Sequence, residues 1–293
     1  RLEIMERLTV MKKQESTIYA VGDYLQSITP MTPASVDAMC RCKMAQWCYT
    51  LVDVLQLNRS NVIVAMNYLD RFLSTGSPRA ILALSDRREY QLACMTALYI
   101  AIKISEPKIM DVKQLSALSR GRYEPKDFVA MESQMLCDLQ WRVNGPTSTH
   151  FLVLFLDLLQ PMMTGIPVAC ILEDAIYQLE LAVTSYDLVT QHPSTVAVAA
   201  MMNSLQKCYH TQEGKMMQNL SYVTGMNASS SHISQLAQCL HHLQNHSPTL
   251  SKRSSPLMIQ DDEVTHDATS ESKGVQVHAA RGNEHSPKTC VSC

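Results

Sequence analysis

The chain has 293 residues, 46% of them hydrophobic, and a formal charge of -2 at neutral pH. That length allows two domains of ordinary size plus a tail, with enough apolar material for real cores. The charge balance lacks the basic footprint of a general nucleic-acid binder, and no apolar run is long enough to span a membrane.

The chain starts at Arg1 rather than at a methionine, as expected for a fragment that has lost an N-terminal targeting or degradation signal. Residues 1–33 form a leading segment. Leu2, Ile4, Met5, Leu8, Ile18, Val21 and Leu25 predict one or two amphipathic helices leaning on the first domain. Pro30 and Pro33 then break the chain, and Thr32 or Ser35 caps the next helix.

The first domain is expected over 34–143. Met44, Cys48, Leu51 and Leu55 share one face of a helix ending near Leu55, and Asn58 to Ser60 make a turn. Val62, Met66, Leu69 and Leu73 stripe a second helix. Gly76, Ser77 and Pro78 end it, and a polar connection leads on. Leu92 to Ile102 is apolar on every side, without Gly or Pro, and predicts a fully buried central helix closed by Lys103. A short amphipathic piece carries Val112, Leu115 and Leu118. A last helix from Pro125 has Phe128, Met131, Met135, Leu136 and Leu139 on its apolar face, which makes five helices.

Asn144 to Pro146 reads as a linker. The second domain, 146–245, repeats the plan with helices near 147–159, 168–190, 194–208, 215–222 and 229–243. Its central helix, Thr195 to Leu205, is again apolar all round. Residues 246–293 have the polar composition of a disordered tail. The fold class is therefore all-α, with two tandem five-helix folds. Ten scattered cysteines, several inside apolar helices, read as thiols of a reduced, intracellular protein rather than a disulfide scaffold.

Four charged residues break the apolar pattern. Glu132 lies on the apolar face of the fifth helix, where a carboxylate is costly unless paired. Arg41 and Asp70 flank the stripes of the first two helices, and Lys103 ends the central one. One reading makes them edge residues whose stems reach water. The other pairs Arg41 with Asp70 between helices and points Lys103 and Glu132 into a shared groove.

Asn67 to Ser74 (Asn-Tyr-Leu-Asp-Arg-Phe-Leu-Ser) resembles the second-helix signature of the cyclin box. Trp47 stands where that family has a first-helix Trp. Ala101 to Glu106 is similar to the end of its third helix, and Met131-Glu132 with Leu139-Gln-Trp141 to its fifth. Pro146-Thr147, Phe151-Leu152 and the stretch Tyr186 to Ala200 resemble the C-terminal cyclin fold. The likeness runs from about residue 15 to 245. It implies a regulatory subunit, without cofactor or metal, that binds and activates a cyclin-dependent protein kinase in the cell cycle, in the nucleus or cytoplasm. It further implies an internal pair at Arg41 and Asp70, a core position at Leu92, and kinase-gripping roles for Lys103 and Glu132. Ile100, Ile104, Leu136 and Val143 are the expected apolar surround. Substrates or inhibitors carrying Arg-x-Leu would dock around Cys40, Met44 and Trp47. However, Lys43 replaces an apolar residue there, and Gln46 and Thr50 replace acids, so docking is expected to be weakened. Trp141 is D-type in manner, Pro146-Thr147 A- or B-type, and the connection from Ser74 to Arg88 is longer than usual.

An enzyme is the first rival. The chain has no Gly-rich phosphate loop, Gly-x-Ser-x-Gly, His-Glu-x-x-His or paired Cys-x-x-Cys. A cyclin-fold adaptor of transcription is the second, and its DNA-binding form would need basic stripes. Ser247, Ser255 and Ser286 precede prolines and are minimal sites for a proline-directed kinase. Cys290 to Cys293 has prenylation spacing with the wrong end residues.

Overall fold

A computed structural model of the chain describes residues 1–26, 35–105, 110–163, 167–208 and 213–246. All regular elements within them are helical. In chain order they are α1 Leu2–Glu15, α2 Ala38–Val54, α3 Ser60–Ser74, α4 Pro78–Ser85, α5 Arg87–Ser105, α6 Val112–Leu118 and α7 Pro125–Asp138. The second half holds α8 Ser148–Leu159, α9 Val168–Thr184, α10 Pro193–Cys208, α11 Glu213–Thr224 and α12 Ser231–His246.

Helix α5 is the axis of the first core. Every side chain from Leu92 to Ile102 is buried, and Leu92 is 3% exposed. Small residues at Ala93, Ala97 and Ala101 let α2, α3, α4 and α7 close around it. The only hydroxyl in the apolar run that is not on a ring, Thr96, donates to the Leu92 carbonyl at 2.7 Å, so burial leaves no orphan. Helix α10 does the same for the second core, buried from Ser194 to Leu205 beneath α8, α9, α11 and α12.

Three expectations need correction. The connection between α3 and α5 is a helix, α4, rather than a polar loop, so the first fold has six helices. Ser77 caps it by accepting from the Ala80 N–H, Pro78 sits in its first turn, and Ala80, Ala83 and Leu84 are buried at helical spacing. Its two larger side chains, Ile81 and Leu82, face outward and hide that spacing in the sequence. Helix α9 ends at Thr184 rather than near 190. Ser185 turns extended, and a single 3-10 turn, Tyr186–Leu188, comes next.

The third correction concerns α1. It leans on the second fold rather than the first: Leu8 and Met11 enter the second core, and the Lys12 ammonium donates to the Thr224 carbonyl. Amphipathic spacing shows that a helix has a buried side; it does not say which core receives it. Residues after α1 then cross to the first fold, where Tyr24 is buried and its hydroxyl donates to Asp70 at 2.8 Å.

Glu15 closes the α1 clamp by accepting from the N–H and the hydroxyl of Ser194 at the start of α10. Burial pushes its carboxyl above the ordinary 4.5, and the Ser194 bonds pull part of the way back. The folded chain therefore binds this proton more tightly than the unfolded chain, so stability falls as pH rises through the elevated value. Urea titrations should show wild type losing stability relative to Glu15→Gln as pH rises above 4.5. A relative gain over that range would contradict this.

Candidate functional site

The last turn of α5 emerges from the core, and Lys103, Ile104 and Ser105 are all exposed there. Lys103 leans over the ring of Tyr99, one turn back, with its ammonium 5.5 Å from the ring centre. The same ammonium donates to Glu132 Oε1 of α7 at 2.9 Å. This hydrogen bond raises the Lys103 pKa, so the cation is secure at neutral pH. The Lys103 side chain is 46% exposed and that of Glu132 15%, leaving donor and acceptor capacity open to a partner. The two charges expected to share a groove do meet at the rim of the first fold.

The apolar surround is partly as expected. Ile104 is 48% exposed, and half-buried Val143 lies with it on one cavity of about 710 Å³ between α1, α3, the end of α5 and the linker. Ile100 and Leu136 are corrections: at 2% and 8% exposure they belong to the first core. Ile100 lies within the enclosed part of α5. Leu136 sits on the apolar row of α7 with Phe128, Met131 and Met135. They support the site from beneath and offer little surface to a partner.

Trp141 is the residue that sequence reasoning left without a role. It is 67% exposed, two residues from Val143, on a turn where Gln140 and Trp141 both take left-handed backbone (φ 54 and 59). Non-glycine residues pay roughly 1–2 kcal/mol each for that conformation. The turn is pinned nonetheless, because the Tyr68 hydroxyl donates to the Val143 carbonyl and Arg71 to the Arg142 carbonyl. An apolar ring placed just past a helix end was the available signal.

Arg41 and Asp70 form the expected internal pair. The Nε and one terminal nitrogen of Arg41 donate to the two carboxylate oxygens at 2.9 and 2.7 Å, with the residues 3% and 5% exposed. Burial works against the cation, but Asp70 outweighs it and lifts the Arg41 pKa further. Its remaining nitrogen donates to the Val183 and Ser185 carbonyls, so the pair also ties the two folds together. A second tie was not anticipated. Arg59 meets Glu180 of α9 at 2.9 Å and Asp53 of α2 at 2.6 Å, and its guanidinium lies over the Tyr49 ring. In the sequence Arg59 sits in a turn and Glu180 in an apolar run, so neither position announced the other.

Cys40, Met44 and Trp47 lie at i, i+4 and i+7 on α2, each half-buried against the first core, with Lys43 exposed beside them. Ser247, Ser255 and Ser286 lie outside the described residues, as does the tail from 247 on. Among the described residues no group of three His, Cys, Asp or Glu side chains is disposed to hold a metal ion. No described helix is long and apolar enough to cross a membrane.

Among the described residues, two helical folds, each wound around a buried central helix and joined by a short linker, with a Lys–Glu couple at the rim of the first, define an all-helical architecture. The family models for the cyclin N-terminal domain and the cyclin C-terminal domain match residues 6–144 and 146–270. The chain belongs to the cyclin family. It is 27% identical over 195 residues to cyclin-A1-4 of Oryza sativa subsp. japonica, covering 67% of this chain and 50% of that protein. It is 30% identical over 161 residues to cyclin-B2-2 of Arabidopsis thaliana, covering 55% of this chain and 34% of that protein. The chain thus spans half or less of the length of these two relatives, and A and B types both match. A viral cyclin from Herpesvirus saimiri superposes with a TM-score of 0.61 at 15% identity, over 83% of this chain and 96% of that one. That likeness concerns the fold.

Proposed function

We propose that this chain is a regulatory subunit that binds a cyclin-dependent protein kinase and holds it active, serving cell-cycle progression in the nucleus or cytoplasm. The observation that carries the reading is the Lys103–Glu132 couple at the exposed end of α5, next to Ile104, which shares a cavity wall with Val143. A protein kinase is active when its β3 Lys pairs with the Glu of its αC helix. Lys103 donates to main-chain carbonyls at an end of that helix, and Glu132 accepts from main-chain N–H groups. Such bonds recognise a helix end without needing particular kinase side chains, and they strengthen when the surrounding apolar rim excludes water. Activation is a population shift, because the rim binds only the αC-in state well. The chain itself does no chemistry. Docking of Arg-x-Leu substrates or inhibitors on Cys40, Met44 and Trp47 is weak, because Lys43 repels an arginine and no acid replaces Gln46 or Thr50.

The test is phosphoryl transfer by a purified monomeric cyclin-dependent kinase, with and without this chain. The expected result is a complex that co-elutes and a kinase rate that rises by orders of magnitude. A kinase that neither binds nor speeds up contradicts the proposal.

A further inference from the structure

The turn that carries Trp141 and Val143 has a second side. Arg71 of α3 is 6% exposed, yet among the described residues no carboxylate pairs with it. One of its nitrogens donates to the Arg142 carbonyl at 2.7 Å, and its guanidinium lies over the Tyr19 ring, 4.6 Å from the centre. The other two arginines as deeply buried, Arg41 and Arg59, each hold a carboxylate. A buried cation without an anion is costly, and burial lowers the Arg71 pKa with Arg142 pushing the same way.

Arg71 borders a cavity of about 230 Å³ whose wall includes Ser74, Thr75, Asp138, Gln140 and Arg142. The side chain of Arg142, exposed at the rim, has no ion-pair partner among the described residues. Asp138, the carboxylate in the wall, is already engaged: the Ser77 hydroxyl donates to Oδ2 at 2.7 Å and the Gln134 amide to Oδ1 at 2.9 Å. The site is preformed. Gly145 lies so close under Tyr19 that a Cβ there would meet its ring at 2.5 Å, and this lets the ring support Arg71.

We propose that this cavity binds the phosphate group of a phosphomonoester, in the form of a phosphorylated Ser or Thr side chain. Two guanidiniums present forked donors suited to a phosphate's oxygens, and together they outweigh the one carboxylate in the wall. The assignment does not depend on the kinase reading.

The test is calorimetric titration of the full chain with O-phospho-L-serine and, separately, with inorganic phosphate and with L-serine. Phosphoserine should bind saturably and raise the melting temperature. Arg142→Gln, at an exposed position, should fold as wild type and bind ~10- to 100-fold more weakly. Arg142→Lys should keep more affinity than the glutamine variant, and L-serine should not bind. Absence of saturable phosphoserine binding, undiminished binding by Arg142→Gln, or binding of inorganic phosphate alone would overturn the proposal.

Discussion

Arg41→Ala is expected to cost ~3–5 kcal/mol of folding stability, read from urea unfolding monitored by circular dichroism. The loss comes from two places at once. Asp70 keeps only the Tyr24 hydroxyl, at 2.8 Å, against a charge that is 5% exposed. The Val183 and Ser185 carbonyls lose their donor, and with it goes a hydrogen-bonded tie between the folds. Arg41→Lys should recover little, because one ammonium cannot reproduce a fork that spans a carboxylate and two carbonyls. The double replacement Arg41→Met/Asp70→Leu should cost less than Arg41→Ala alone, because no unpaired charge is left inside. A loss below about 1 kcal/mol for Arg41→Ala, the range of an exposed pair, would show the pair to be ornamental.

The second large effect is on binding. Lys103→Ala and Glu132→Ala should each weaken capture of a cyclin-dependent kinase by ~2–5 kcal/mol, since each leaves a desolvated main-chain group or charge without its partner. The free chain should scarcely notice: the Lys103 side chain is 46% exposed, and an ion pair open to water contributes at most about 1 kcal/mol. Affinity and melting temperature should therefore separate, in contrast to Arg41→Ala, where both fall. A loss of melting temperature as large as the loss of affinity would place the couple in the folding machinery instead.

The sequence made the two central helices legible because Leu92 to Ile102 and Thr195 to Leu205 are apolar at every angle, and only full enclosure accommodates that. Arg41 and Asp70 were legible as charges on the flank of an apolar stripe, and Lys103 and Glu132 as charges at a helix end and on an apolar face. What failed was anything decided by a neighbour distant in the chain. Periodicity put Leu8 on an amphipathic helix without saying that the second core receives it, or that Met11 goes with it. It paired neither Arg59 with Glu180 nor Arg71 with the Arg142 carbonyl. Ile100 was placed in the partner-facing surround by the resemblance, whereas the all-round apolar pattern of α5 already put it in the core. Helix α4 was missed for a local reason: its outward Ile81 and Leu82 blur a buried row of small residues.

The charge swap Lys103→Glu/Glu132→Lys separates the two roles open to this couple. The swapped side chains can still pair with each other, so the fold should be kept. Toward a kinase, donor and acceptor are now exchanged against main-chain groups that cannot exchange. Calorimetry of the swapped chain with monomeric kinase, beside its melting curve, should show a wild-type melting temperature and no measurable binding. Kinase affinity equal to wild type in the swapped chain would mean that the couple only braces α5 against α7, and that the kinase is held elsewhere.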